Sequence, residues 1–439
     1  MATSIPAGFR VLPLPIVQLS LAAVLKCGQS FRWSIYPLAH ATTPSSPTHE
    51  YRLCLRDRVV CLRQSPDSLF YRSVFPEEHL PPVQETLREA ETLTWLRDYF
   101  QLDVDLVELY DQWSERDIVF RKLRSRFSGI RMLRQDPWEN LISFICSSNN
   151  NIARITKMVH ALCKHYSPPL LSLPLPSPSV ADRILTDGDP IMYHPFPSAP
   201  VLAASGVSST LRTLGFGYRA DFIQRTASML VDMYGTKVFE NSLPASEAWL
   251  LSLREQTTAQ AREELLKFVG VGRKVADCIL LMSLDKKEVI PVDTHVHQIA
   301  VKHYGLRAAS GSKTKTAMTP KLYEEVSSKL FGIWGDYAGW THSVLFTADL
   351  KSFSSYGLPS PSTEAQTDGP VLPTPPIAPS PSPSKRKRKE LLQSSPGILT
   401  PMGVVTVTEA VSEHMDGEAN LADRVKRRRR TAAVANRIT

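Results

Sequence analysis

The sequence predicts an α+β chain: an N-terminal antiparallel sheet, a helical body behind it, and a tail with no core of its own. Three observations carry this. Residues 51–62 alternate with a period of two, the apolar spacing changes to three from about Pro82, and composition turns Pro/Ser/Thr-rich beyond Tyr356.

The alternation runs through Tyr51-Arg52-Leu53-Cys54-Leu55, a polar Arg56-Asp57-Arg58 turn, and Val59-Val60-Cys61-Leu62. Such a pattern predicts a hairpin with one buried face inside a small antiparallel sheet, with residues 40–49 as a loop between strands. From Thr86 to Tyr99, apolar residues at Leu87, Ala90, Leu93, Leu96 and Tyr99 predict a helix. Asp136-Pro137-Trp138-Glu139 supplies an N-cap, a proline at the first helical position and an acidic first turn, so a helix opens there and runs toward Cys146. The proline-rich stretch 167–180 is expected to interrupt the helical region as a loop, and helices resume from about Ser198 to Asp349. The expected domains are residues 1–135, residues 136–355 with the 167–180 insertion, and a disordered tail over 356–439, whose few apolar groups cannot offset chain entropy.

With 439 residues and 43% hydrophobic content the chain can bury a sizeable core. No apolar run is long enough to cross a bilayer, and the N-terminus lacks the basic-then-apolar layout of a secretory leader, so a membrane partner is not expected. Cys27, Cys54, Cys61, Cys146, Cys163 and Cys278 are widely spaced, which reads as buried reduced thiols and argues against zinc or a four-cysteine iron–sulfur cluster. The formal charge of +8 favours an anionic partner, but residues 356–439 hold 12 Lys/Arg against 8 Asp/Glu, which is half of the excess. Lys385–Lys389 and Lys426–Arg430 read as nuclear import signals, with nonspecific phosphate contacts or a solubilising tail as the alternatives.

The strongest chemical signal is Val269-Gly270-Val271-Gly272-Arg273-Lys274-Val275-Ala276-Asp277, followed by Pro291-Val292-Asp293. Two glycines allow a tight turn that a phosphate can approach, and the helix beginning at Lys274 offers unpaired N–H groups to an anion. Asp293 follows Lys274 by 19 residues, enough for that helix, a charged turn at 285–288 and an apolar return, so an amine and a carboxylate can face one cleft. By itself the turn fits simple helix packing, the lysine a solvated charge and Asp293 the cap of the next helix. Asp293, His295 and His297 also alternate like metal ligands, but a helix from Thr294 separates residues two apart, so no catalytic metal and no cofactor are expected.

Residues 269–300 resemble the helix-hairpin-helix signature of base-excision DNA glycosylases. Ser143–Ile155, Gly28-Gln29-Ser30-Phe31-Arg32-Trp33, Leu214–Ala220 and Tyr337-Ala338-Gly339-Trp340 extend the resemblance, over about residues 10–353, to the eukaryotic 8-oxoguanine DNA glycosylase/lyase family. The resemblance implies a monomeric nuclear enzyme, a mitochondrial fraction staying open, acting on damaged double-stranded DNA. It implies Lys274 as the Schiff-base nucleophile and Asp293 as stabiliser of charge on the sugar. Gly28, Cys278, Pro291, His342 and Phe346 become the pocket for the flipped base, with the Gly28 carbonyl accepting from the N7 proton that distinguishes 8-oxoguanine from guanine. Asn149, Arg154, Tyr218, Arg219, Gly270, Gly272 and His295 become DNA contacts: Asn149 enters the stack, Arg154 and Arg219 donate to the cytosine edge, and Tyr218 wedges.

Two positions depart from the family pattern. His342 stands where glutamine reads the pairing edge of the base, and an unperturbed imidazole there would titrate near pH 6.5. Val269 stands where proline often precedes the hairpin glycine. Two rival readings are a glycosylase of the same fold for another damaged base and a noncatalytic DNA-binding protein. The Gly28–Phe31 motif with Cys278 argues against the first. The Lys274/Asp293 pair argues against the second, because a binder needs neither.

Overall fold

The computed structural model describes residues 5–38, 45–77, 81–176, 189–237, 243–306 and 318–358. The basic clusters Lys385–Lys389 and Lys426–Arg430 lie outside them. Five strands, β1 (Arg10–Pro13), β2 (Ser34–Pro37), β3 (His49–Cys54), β4 (Val59–Gln64) and β5 (Ser68–Val74), form an antiparallel sheet in the order β1-β5-β4-β3-β2. The expected hairpin is β3–β4, with Tyr51 opposite Leu62 and Leu53 opposite Val60.

Both faces of this hairpin are covered, which corrects the expectation of a single buried face. Tyr51, Leu53, Val60, Leu62 and Tyr71 pack on one side against Trp33, Leu96, Tyr99 and Phe100. Leu96 and Tyr99 belong to the helix Pro82–Tyr99, whose first half, including Leu87, stays exposed. On the opposite side Cys54, Cys61 and Phe70 meet Phe9, Leu173 and Tyr193. The last two come from a second correction. Inside the 167–180 stretch expected as a loop, β6 (Leu171–Leu173) pairs with β7 (Ile191–Tyr193), which follows that stretch, and the pair lies against the main sheet. Sequence periodicity missed this because three-residue strands are too short to display a period.

The covered second face encloses ions. Glu50 is fully buried and accepts from Arg52 Nε at 2.6 Å and Arg63 Nε at 2.7 Å, while Arg52 also donates to the Pro174 carbonyl at 2.8 Å. Such a cluster ties β3, β4 and the segment before residue 176 together, because each buried charge must keep its partner.

The helical body surrounds two central helices. Pro137–Cys146 begins as expected, with the Asp136 carboxylate accepting from the Glu139 N–H at 2.8 Å, and every residue from Asn140 to Cys146 is buried. Arg273–Ser283 packs beside it, buried from Val275 to Ser283. Gln135 N donates to the Met282 carbonyl at 2.8 Å and Asn140 Nδ2 to Ser283 Oγ at 3.1 Å, which fixes the register of the two helices. Helices Ile152–Tyr166, Arg219–Tyr234, Thr258–Leu266, Thr294–Tyr304, Pro320–Trp334 and Ala338–Asp349 close around this pair. All six cysteines are buried and free.

Replacing Glu50 with Ala leaves the Arg52 and Arg63 guanidinium groups without their carboxylate in a buried site. We expect unfolding stability to fall by about 3–5 kcal/mol in a denaturant titration. A loss below about 1 kcal/mol, the scale of an exposed pair, would show that the cluster is dispensable.

Candidate active site

The glycine turn joins helices Thr258–Leu266 and Arg273–Ser283. Gly270 has φ +83°, and an added Cβ would come within 2.6 Å of the Phe222 ring, so this position needs glycine for both conformation and space. Gly272 differs. Its φ is −92°, it is the N-cap residue of Arg273–Ser283, and a Cβ added there would meet nothing within 4 Å, leaving open surface before the first N–H groups of that helix. This end of the helix can receive an anion such as a DNA phosphate.

Lys274 lies in the first turn, where that helix emerges from the core, and is half-buried. Its Nζ sits 5.1 Å from the Phe144 ring centroid and 3.5 Å from Ser147 Oγ, both at the end of Pro137–Cys146. Asp293 caps Thr294–Tyr304. Its Oδ1 accepts from the His295 and Val296 N–H groups at 2.9 Å each, while Oδ2 makes none of the described hydrogen bonds. The two side chains form no ion pair with each other among the described contacts, so their scaffolds hold them in place.

One cavity brings together Lys274, Asp293, Gly28, Cys278, Pro291, His342 and Phe346. These are all seven of the catalytic and base-pocket positions singled out in the sequence. Gly28 has φ +92°, and an added Cβ would stand 2.9 Å from Ile152 Cδ1. The turn that carries it is clamped: Gln29 donates to the Arg131 carbonyl at 3.1 Å, accepts from the Leu133 N–H at 3.0 Å, and its own carbonyl accepts from Gln135 at 2.9 Å. Burial pushes the Cys278 thiol up to about 11, partly offset by the adjacent Lys274. It is therefore a neutral thiol at pH 7.

His342 is 6% exposed, and neither ring nitrogen makes a hydrogen bond of ordinary geometry. Burial lowers its pKa to about 4; Asp293 and the Gly339 backbone pull it up, while Lys274 and His295 press it down. The ring is thus neutral at physiological pH, which corrects the expected titration near 6.5. Next to it, buried Ser343 Oγ also lacks a partner and lines the same cavity. Buried polar groups without partners are costly, so this wall suits a ligand with hydrogen-bonding edges.

A larger groove shares Gly28, Phe144, Lys274, Asp293 and Phe346 with the cavity and runs past Asn150, Asn151 and His295. His295 packs edge-on against Phe346 at 4.9 Å, with Nε2 3.1 Å from Asp349 Oδ2 but not aligned as a hydrogen bond. On the loop after Cys146 the three asparagines divide the work. Asn150 donates to the Cys146 carbonyl at 2.9 Å, Asn151 caps Ile152–Tyr166 by accepting from the Arg154 N–H at 3.0 Å, and Asn149 does neither. Asn149 is exposed at φ +48°, a conformation uncommon for a residue with a side chain.

Arg154 is exposed, with Nη2 3.2 Å from the Gly215 carbonyl, and Tyr218 is 45% exposed, its hydroxyl donating to the Ser148 carbonyl at 3.1 Å. Arg219 is placed differently from the sequence expectation. It is 3% exposed and directs its guanidinium inward, donating to the Ser148 carbonyl from Nε at 3.0 Å and to the Asn149 carbonyl from Nη2 at 3.0 Å. In this conformation its donors hold the Asn149 loop and do not face outward.

Sequence reasoning gave no role to Phe144, Ser147, Cys27, Gln29, Met282 or Ser343, all of which touch Lys274 or line the cavity. Most flank residues already quoted, and the missing signal is helix phase: Phe144 and Ser147 are three apart and so share a face.

Residues 11–141 match the family model of the 8-oxoguanine DNA glycosylase N-terminal domain, and residues 142–325 that of the HhH-GPD superfamily base excision DNA repair protein. The chain is 36% identical to the N-glycosylase/DNA lyase of Saccharomyces cerevisiae over 77% of its length and 85% of that protein. It is also 36% identical to the N-glycosylase/DNA lyase OGG1 of Arabidopsis thaliana, over 78% of this chain and 80% of that one. In fold it is similar to MBOgg1, at 24% identity and TM-score 0.57, covering 79% of this chain and 96% of the other. The Clostridium acetobutylicum 8-oxoguanine glycosylase/lyase is similar at 23% identity and TM-score 0.55, covering 79% and 99%. Matched in both its sheet-bearing part and its helical body, and in most of its length to lyases of this kind, the chain is a DNA N-glycosylase/lyase belonging to the 8-oxoguanine DNA glycosylase family of the helix-hairpin-helix superfamily.

Proposed function

We propose that this enzyme flips 8-oxoguanine out of its pair with cytosine, excises it through a Schiff base on Lys274 and then nicks the abasic strand. The observation carrying the reading is the single cavity holding an amine, a carboxylate and an unpaired polar wall. A base inside a duplex is out of reach of such a cavity, so it must leave the stack. The extruded base lies between the Cys278 thiol and the Phe346 ring, and its N7 proton is donated to the Gly28 carbonyl. Guanine presents a lone pair at N7, leaving two acceptors opposed, and that repulsion excludes the undamaged base.

The free amine of Lys274 attacks the anomeric carbon as the bond to the base breaks. The amine gives up a proton and the departing base gains one. Asp293, with Oδ1 held by two backbone N–H groups, turns Oδ2 toward the positive charge that grows on the sugar. Opening of the sugar ring gives an iminium, and loss of the adjacent proton expels the 3′ phosphate, cleaving the strand. On the opposite strand, exposed Asn149 fills the vacated space and Arg154 donates to the cytosine edge. Arg219 can join only by exchanging its bonds to the Ser148 and Asn149 carbonyls for the base, so its contribution is coupled to movement of that loop.

Lys274→Gln is expected to abolish borohydride trapping of a protein–DNA adduct and to lower excision by roughly a thousandfold or more. Equal adduct yield from the variant rejects the nucleophile assignment. Arg154→Ala is expected to relax the preference for cytosine over adenine opposite the lesion by about 1–3 kcal/mol. An unchanged ratio with uniformly weaker binding makes Arg154 a phosphate contact. For His342 the sign follows from a folded pKa below the free value: the folded protein binds fewer protons between about pH 4 and 6.5. Its stabilising contribution is complete above about 6.5 and is lost as pH falls toward 4. His342→Gln should therefore show no change in the pH dependence of lesion affinity from pH 5.5 to 7.5, measured in a Lys274→Gln background, and should lose less stability than the parent between about pH 6.5 and 4. A step in parental affinity near pH 6.5 that the glutamine variant lacks overturns the neutral imidazole.

A further inference from the structure

Lys274 and Asp293 stand on different elements and do not touch within ion-pair range, so something must set their spacing. Lys274 is fixed to its helix, and one turn further along the same helix is Asp277, a carboxylate that is 1% exposed. Asp277 Oδ1 accepts from Arg262 Nε at 2.7 Å, and Oδ2 is 3.3 Å from Arg273 Nε. Its third partner is Tyr323, on helix Pro320–Trp334, whose hydroxyl donates to Asp277 Oδ2 at 2.6 Å. The same hydroxyl accepts from the Val292 N–H at 3.0 Å, immediately before Asp293. The phenol has a single proton and gives it to Asp277, so the Ile290 carbonyl at 3.5 Å is only a neighbour.

We propose that Tyr323 is a positioning residue for catalysis: its hydroxyl bridges the turn of helix carrying Lys274 to the backbone carrying Asp293 and thereby sets the distance between the two. The proposal rests on the roles given to Lys274 and Asp293 above. Tyr323 touches neither side chain and acts through Asp277 on one side and the Val292 peptide on the other. Direct contact between amine and carboxylate would fix the spacing too, but it would bind the lysine as an ammonium and hold the carboxylate away from the sugar. A bridge behind the cavity sets the spacing while leaving both groups available to substrate. The hydroxyl is 4% exposed as part of its residue, and it bonds at once to a charged acceptor and a backbone donor, an arrangement stronger than two neutral bonds. Arg262 and Arg273 hold the Asp277 carboxylate in place from its other sides, so the acceptor end of the bridge is itself fixed. Arg273 also lies 4.9 Å over the Tyr323 ring, a contact independent of the hydroxyl.

That independence makes Tyr323→Phe the decisive variant, since it keeps the ring, the Arg273 contact and the packing while removing only the oxygen. Single-turnover excision on an 8-oxoguanine duplex is expected to fall by roughly ten- to a hundredfold, the scale of a small misplacement of reacting groups. Affinity for a duplex carrying a tetrahydrofuran abasic analogue should stay within about twofold, because the groove is untouched. A purely structural role would lower both together. Joining Tyr323→Phe with Asp293→Asn in a double-mutant cycle gives the second readout: if Tyr323 acts through Asp293, the combined loss is smaller than the product of the single losses. Multiplicative losses, parallel losses of rate and affinity, or an unchanged rate each overturn the proposal. If Lys274→Gln or Asp293→Asn instead retains full excision, the catalytic assignment itself fails, an outcome distinct from an active Tyr323→Phe beside an inactive Lys274→Gln.

Discussion

Everything at the site depends on how one helix is buried. Arg273–Ser283 is enclosed from Val275 to Ser283 and emerges only at its first turn, where Gly272, Arg273 and Lys274 stand. Because protein interiors are close-packed, a helix enclosed along most of its length has little freedom to slide or rotate. Its register against Pro137–Cys146, set by the Asn140–Ser283 and Gln135–Met282 bonds, brings Phe144 and Ser147 opposite the lysine amine. The same burial directs the helix N-terminus outward, so that N–H groups able to receive an anion and the lysine amine lie side by side.

Around that fixed point the backbone is bent where a ligand must come close. Gly28, Asn149 and Gly270 all have positive φ, and they lie respectively at the cavity wall, at the loop expected to enter DNA and at the hairpin. Glycine takes such a conformation at little cost, whereas Asn149, which carries a side chain, does not, and the surroundings hold all three in place. Gln29 and Gln135 clamp the turn at Gly28, Asn150 and Arg219 hold the loop at Asn149, and Phe222 leaves no room for a side chain at Gly270. The cavity adds a second kind of cost in His342 and Ser343, whose buried polar atoms lack partners. Unmet hydrogen bonds thus line the cavity at His342 and Ser343, while the ion cluster of Glu50 with Arg52 and Arg63 is satisfied.

The sheet-bearing part does more than precede the helices. Gly28 is supplied by the chain between Leu21–Val24 and β2, and its orientation depends on Gln29 reaching residues 131–133. Arg131, itself 1% exposed, donates to the Phe100 carbonyl at 2.9 Å and the Gln101 carbonyl at 2.6 Å. The cavity wall is therefore braced against the same segment that ends Pro82–Tyr99. Packing of the sheet and geometry of the cavity are linked through a short chain of buried hydrogen bonds.

Local signals in the sequence determined a good deal: the β3–β4 hairpin, the Asp136 cap, the glycine turn, the helix behind Lys274 and the cap at Asp293. Each depends on residues within a few positions of one another, so turn chemistry, capping and periodicity suffice to read it. The motifs also named the residues that meet in the cavity, since they carry the family pattern even where they lie far apart. Tertiary structure alone decided what long-range contacts control. Both faces of the sheet are covered because β6 and β7 return over it, from segments too short to show a period. Arg219 turns inward because the Ser148 and Asn149 carbonyls lie within its reach, 71 and 70 positions away in sequence. His342 is neutral because burial opposes its charge, which no neighbouring residue in the chain reveals. Tyr323 reaches Asp277 and Val292 across 46 and 31 positions, and no local pattern marks a residue whose partners come from elsewhere in the fold.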